Sequence, residues 1–300
     1  MNYRGEFLAN FMIHIEFPKK AQDIFMQLYK RIQGDVDYSK QLCTLSDLFM
    51  NREYEKAFEG IDLLASDMEE HSHTMSMLLL LLCADPLFNL YQKRGLSESL
   101  YWDTMKDLTY KLNECHQVYG IWGVFVRNWY PGFYELSRFA LGRMQYEYSE
   151  FELDHFEWNG IRVTKGDKVI NMHIPSCGSF TEDIRLDSYK KAYEFYKKDF
   201  GDKPIPMVCS SWLLFPEHRK ILSEDSNIRG FMNDFSYIVG ELDDKFEDGW
   251  RVFGSDFMKA PKDWPRKTTL QKAYGDHIDM GGKTGSGYGV FFFDGEKILR

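Results

Sequence analysis

Residues 169–214 constrain the fold more than any other part of the chain. They read as strand, tight loop, helix, strand: V-I-N-M-H-I (169–174), then Pro175-Ser176-Cys177-Gly178-Ser179, a helix over about 181–200, and P-M-V-C-S-S-W-L-L (206–214). Leu186, Tyr189, Tyr193, Tyr196 and Phe200 recur at spacings of three and four. They give the helix one apolar face, which packs it on a sheet as the crossover between two adjacent strands. A strand that delivers small residues to a helix N-terminus leaves backbone N–H groups able to hold a phosphate.

Upstream of this unit the pattern is helical. Ile24, Phe25, Leu28 and Ile32 share one helix face, and so do Tyr54, Phe58, Ile61, Leu64, Ala65 and Met68. Ser97 is an N-cap for a helix carrying Leu100, Met105, Leu108, Leu112 and Cys115. Residues 77–83 are apolar all round, as suits a helix at the centre of a bundle, and Pro86 is expected to start a new turn or kink it. The character changes near Tyr119, where Gly120, Gly123, Pro131 and Gly132 punctuate an aromatic-rich stretch. This places a helical domain at 1–118 and a second domain at 119–300.

In the second domain, residues 142–148 alternate with period two and put Met144, Tyr146 and Tyr148 on one face. Strands at 161–163 and 169–174 flank a predicted hairpin loop at 164–168, and 235–241 with 249–254 read as another hairpin. A helix near 268–278 and a last strand at 288–293 complete the order β, β, β, α, β, α, β, β. A mixed sheet with helices on its faces, following a helical domain, makes the chain α+β.

The formal net charge is −9, and no Lys/Arg stripe offers itself to a nucleic-acid backbone. The five cysteines have no C-x-x-C pair, which argues against a disulfide framework and a zinc site; no metal is expected. The first residues lack a signal pattern, and the longest apolar run, 77–84, is short of the roughly 20 residues of a membrane span. A cytoplasmic protein with no membrane partner is expected, and a homodimer is left open. Gly281-Gly282-Lys283-Thr284 fails the phosphate-loop spacing, because the required first glycine would fall at His277.

Four segments carry a family resemblance: R-F-A-L-G-R-M-Q-Y-E (138–147), H-I-P-S-x-G-x-x-T (173–181), S-W-L-L (211–214) and S-N-I (226–228). As a set, and over essentially the whole chain, they resemble bacterial two-domain acyltransferases. In these a helical domain precedes a domain like the GCN5-related N-acetyltransferases (GNAT). The resemblance implies that the strands on either side of the crossover helix diverge. The pantetheine arm of acetyl-CoA or another acyl-CoA then lies in the gap, beside Met172 and Ile174. Its pyrophosphate sits at Ser176, Cys177, Gly178 and Ser179, and the acyl group passes to an amine of a small acceptor. The usual loop of that family is Gln/Arg-x-x-Gly-x-Gly/Ala. Here it has one glycine, no arginine and a proline at its mouth. Glu182 and Asp183 follow at once, each opposing a pyrophosphate by roughly 1 kcal/mol.

His173 on the strand beside the gap is a candidate base for an amine; the competing reading is a histidine hydrogen-bonded within the sheet. Of Ser210 and Ser211, alternation turns only one toward the cleft, and Ser211 is taken as the candidate that orients the thioester or protonates the leaving thiolate. Glu147 is a candidate base through water, against the reading of a solvated carboxylate. Arg138 and Arg143 flank a glycine and suit either an anion or structural ion pairs. Cys177 near His173 invites a nucleophilic reading, but no third orienting residue accompanies it. The alternative from another class is a GNAT-like scaffold without catalysis that binds ligands or proteins.

Overall fold

The computed structural model describes residues 3–243 and 245–300. Helices α1 (Tyr3–His14), α2 (Lys19–Gln33), α3 (Val36–Met50), α4 (Tyr54–Asp67), α5 (Ser72–Lys93), α6 (Glu98–Met105), α7 (Asp107–Tyr119) and the single turn α8 (Pro131–Tyr134) form one unit, which runs to Phe139. Its centre is α5, where every residue from Thr74 to Ala84 is buried against neighbouring helices. By length and composition α5 could cross a membrane, yet 72% of its apolar window is buried inside the protein, as a core helix requires. Pro86 neither starts nor ends a helix: α5 runs through it. Pro86 is itself exposed, at the border of the buried stretch. Ser97 caps a helix as expected, accepting from the Leu100 amide at 3.2 Å, but that helix, α6, ends at Met105, and Leu108, Leu112 and Cys115 belong to α7.

The change of character at Tyr119 marks the end of α7 rather than the division between units, which falls between Phe139 and Ala140, inside β1. The aromatic stretch 120–139 is tied to the helices. Val124 N–H donates to the His73 carbonyl, Tyr134 Oη to the Leu80 carbonyl, Tyr130 Oη to Asp107, and Arg127 forms a bidentate pair with Asp62.

The second unit holds β1 (Arg138–Leu141, shared with the junction), β2 (Met144–Glu150), β3 (His155–Trp158), β4 (Ile161–Thr164), β5 (Lys168–His173), α9 (Glu182–Tyr196), β6 (Ile205–Ser211), α10 (His218–Ile221), α11 (Asn227–Met232), β7 (Tyr237–Leu242), α12 (Gly249–Phe253), α13 (Thr269–Asp279), β8 (Gly285–Phe293) and β9 (Ile298–Leu299). The main sheet runs β1-β2-β5-β6-β8-β7, with β9 also on β8. It is antiparallel except where α9 crosses over between β5 and β6. Two expected hairpins are corrected. The 161–163 strand pairs with β3 through an Asn159-Gly160 turn with φ positive at both residues, and β5 pairs with β2. Residues 249–253 form α12, and β7 pairs with β8.

The two sheet faces are distinct. Tyr146, Met207 and Phe291 lie on the α9 side. The Tyr189 ring of α9 packs 5.1 Å from Phe291, and Tyr196 donates to the Tyr146 carbonyl. Val169, Val208, Val290 and Phe292 lie on the other face, packed with Phe156, Trp158 and Ile161 of the β3–β4 hairpin. Strand alternation then assigns every other residue of β2, β5, β6 and β8.

Candidate active site

The ladder between β5 and β6 is two register pairs long, Ile170↔Met207 and Asn171↔Val208. Both strands continue past it, β5 through Met172 and His173, β6 through Cys209, Ser210 and Ser211. A parallel ladder that stops while its strands go on leaves backbone N–H and C=O groups facing a gap, because each strand carries one donor and one acceptor per residue. β6 remains paired on its other side to β8 through Ser211↔Gly287.

On the face away from α9, beside this gap, Glu147 Oε1 lies 2.6 Å from His173 Nε2. Each side chain is about one-fifth exposed. The register explains the meeting: Glu147 is opposite Asn171 and Gln145 opposite His173, so Glu147 and His173 are diagonal neighbours on one face. Asn171 Nδ2 is 3.4 Å from the same imidazole nitrogen. Two residues singled out separately in the sequence are thus a pair. A carboxylate on one imidazole nitrogen fixes the ring and stabilises the imidazolium that forms when the ring takes up a proton.

Ser211 is not brought to this pair. Alternation puts it on the α9 side with Met207 and Cys209, and its hydroxyl caps the 3-10 turn that follows β6, accepting from Leu213 N–H at 3.2 Å. Ser210, which sequence reasoning passed over, is exposed and shares the His173 face by the same alternation. The expected strand over 206–214 accordingly ends at Ser211, with Trp212–Leu214 in that turn.

Past His173, the chain passes Ile174 and the buried Pro175 into the loop that opens α9. Cys177 N–H returns to the Pro175 carbonyl at 2.9 Å. Ser176, Gly178 and Ser179 are exposed, and Gly178, at φ +48°, has open space where a Cβ would point. Among the described residues the amides of Gly178, Ser179 and Phe180 have no backbone acceptor, so the donors a phosphate requires are present. The start of α9 opposes them. The Thr181 hydroxyl, with the Asp183 and Ile184 amides, holds the Asp183 carboxyl below its ordinary range and leaves it ionised there. Neither flagged arginine is spare surface charge. Arg138 donates to the Trp129 carbonyl at 2.7 Å and stacks 3.6 Å over that indole. Arg143 donates to the Pro175 and Ser179 carbonyls.

A second histidine, absent from the sequence candidates, lies buried beyond the end of β6. His218 Nδ1 faces the Leu213 carbonyl at 3.2 Å and Nε2 faces Tyr274 Oη at 2.5 Å. Burial holds its pKa down at about 4, so the ring is neutral, with Nδ1 the donor and Nε2 accepting from tyrosine.

Residues 138–291 match the family described as a GNAT-like C-terminal domain, and residues 6–136 match the N-acyltransferase N-terminal domain. Among curated proteins nothing matches the chain. Among solved structures, it is similar to an acyltransferase in complex with decanoyl-CoA and teicoplanin (16% identity, TM-score 0.70, 97% of this chain and 87% of that one). It is also similar to a mutant acyltransferase in complex with octanoyl-CoA (16%, TM-score 0.67, 94% and 86%). A third is an acyltransferase in complex with CoA and 10C-teicoplanin (16%, TM-score 0.68, 97% and 87%). At these identities the likeness is one of fold, and it runs through both units. With its helical unit, its β5–β6 ladder of two register pairs and both domain matches, the chain belongs to the two-domain N-acyltransferases, a helical N-terminal domain followed by a GNAT-like domain.

Proposed function

We propose that this chain transfers an acyl group from acyl-CoA to an amine of a small acceptor. The observation that carries the reading is the β5–β6 ladder that stops after two pairs beside the Glu147–His173 pair, in a chain of this family. Backbone groups of Met172 and Ile174 would hold the pantetheine arm, and the amides of Gly178, Ser179 and Phe180 would face the pyrophosphate. The thioester supplies an activated carbonyl. His173 takes the proton from the amine as it attacks the thioester carbonyl, the C–S bond breaks, and CoA leaves as a thiolate that is protonated by the imidazolium or water. Glu147 keeps the imidazole oriented and stabilises its charged form. Much of the rate comes from holding amine and carbonyl together. Solved acyltransferases of similar fold are in complex with decanoyl-CoA and octanoyl-CoA, which supports an acyl-CoA donor here, with acetyl kept beside longer chains as the proposed acyl group. One of them is in complex with teicoplanin as well as decanoyl-CoA, which supports a small-molecule acceptor here. The five cysteines form no disulfide among the described residues, which supports a reducing, cytoplasmic setting.

Calorimetric titration with CoA and with acetyl-, octanoyl- and decanoyl-CoA tests this. Saturable micromolar binding, weakened by Gly178→Val, is the expected result. If no acyl-CoA binds, the second reading takes its place: a scaffold of this fold that binds other ligands, favoured by the Asp183 carboxylate already seated on the first amides of α9.

A further inference from the structure

We propose that Arg143 is a positioning residue for the acyl-CoA pyrophosphate, acting through the loop rather than by touching the ligand. The inference rests on the acyl-CoA reading above. Arg143 lies in the turn between β1 and β2, and that turn is fixed to α9 by one buried hydroxyl. Ser188 Oγ donates to the Leu141 carbonyl at 2.6 Å and accepts from Met144 N–H at 3.1 Å, so residues on both sides of Arg143 are held. From this base Arg143 Nη1 donates to the Pro175 carbonyl at 2.9 Å and Nε to the Ser179 carbonyl at 3.0 Å. The two carbonyls are four residues apart, at the entry and near the exit of the loop, and one planar guanidinium spans them. Its carbon lies 5.1 Å from the centre of the Phe180 ring. A second arginine works from the far side. Arg185 of α9, locked by a bidentate pair with Asp234, donates to the Phe180 carbonyl at 2.9 Å and lies 5.5 Å from the same ring.

The carbonyls of Pro175, Ser179 and Phe180 are therefore drawn onto arginines. A peptide plane that commits its C=O to one side turns its N–H to the other. The amides that follow these carbonyls, those of Ser176, Phe180 and Thr181, are aimed away from the guanidinium groups; Phe180, which Arg143 turns through the Ser179 carbonyl, is the one of them that is also assigned to the pyrophosphate. Arg143 also anchors the chain two residues after His173, at the lip of the gap. The loop sequence contains no arginine of its own; this one reaches it from the β1–β2 turn.

The test compares ligands with and without the pyrophosphate. Wild type, Arg143→Ala, Arg143→Gln and Arg143→Lys are titrated with acetyl-, octanoyl- and decanoyl-CoA and with the matching S-acylpantetheines, each variant checked by thermal melt. The expected result is an acyl-CoA Kd raised about tenfold or more in Arg143→Ala, the size of a lost charge-assisted hydrogen bond. Lysine, a single point charge, restores part of it, and acylpantetheine affinity stays within about twofold. Arg143→Gln, which keeps donors and volume, serves the same comparison if the alanine variant does not fold. Unchanged acyl-CoA affinity, or equal loss for both ligand classes, overturns the role of Arg143 while leaving the acyl-CoA reading intact. Wild-type protein that binds no acyl-CoA overturns both.

Discussion

Glu147 and His173 stand on neighbouring strands, diagonal to each other in register, and that offset is what makes them a pair. If His173 is the base, His173→Ala should lower kcat by roughly 10²–10⁴-fold, the usual contribution of positioned proton transfer. Glu147→Gln keeps the shape and removes the charge that stabilises the imidazolium, so its loss should be smaller. Because the two act as one unit, the double variant should lose no more than His173→Ala alone. Steady-state rates with a saturating amine decide this; additive losses would mean two independent roles. Both residues were legible in the sequence as candidates, but their pairing was not. The sequence pattern gave β5 the wrong neighbour, at 161–163, and without β2 beside it there was no register in which 147 could meet 173. Ser211 lies apart from that pair for a related reason: alternation requires one of two adjacent serines to face each side of the sheet, yet cannot say which until the strand neighbours are known.

The long, one-sided apolar stripe of α9 was read correctly, whereas the stripe from Leu100 to Cys115 is divided between α6 and α7 and short segments were misread. The tyrosine face of α9 leaves only one way to pack it, and Thr268 with Gln271 closes a capping box that starts α13. The residues W-R-V-F at 250–253 are too few to separate period two from 3.6. They form α12, which buries Val252 and Phe253 in an aromatic cluster with Trp264 and Tyr274. That cluster is joined to α10 by the His218–Tyr274 bond, which predicts how these elements respond to acid. Native His218 titrates near 4 and the unfolded residue near 6.5. Between those values the unfolded chain binds more protons, so stability is complete above pH 6.5 and is lost as pH falls toward 4. Urea unfolding at pH 7 and pH 5 should show wild type losing about 2 kcal/mol more than His218→Gln. An equal loss in the two proteins would mean that folding leaves the His218 pKa unshifted.

At the scale of the whole molecule, charge makes the binding of acyl-CoA an unusual case. The chain carries a formal net charge of −9, and acyl-CoA is itself a polyanion. The cations nearest the loop are committed locally: Arg185 to Asp234, and Arg143 to backbone carbonyls. Glu182 and Asp183 follow directly after them. At about 10 mM salt the Debye length is about 30 Å, and the approaching ligand feels the summed repulsion of the protein; at about 150 mM it is about 8 Å, and only local groups remain. Encounter with a cofactor of like charge should therefore accelerate as salt is added, the reverse of ordinary steering toward an opposite charge. Stopped-flow association of octanoyl-CoA across that range should show kon rising severalfold, with a much smaller change in koff. Neutralising Glu182 and Asp183 together, as Gln and Asn, should flatten the dependence only slightly, because they are a small part of the net charge. A kon that falls with salt would mean that the arginines around the loop govern the approach, and that the cradle attracts its ligand against the field of the rest of the protein.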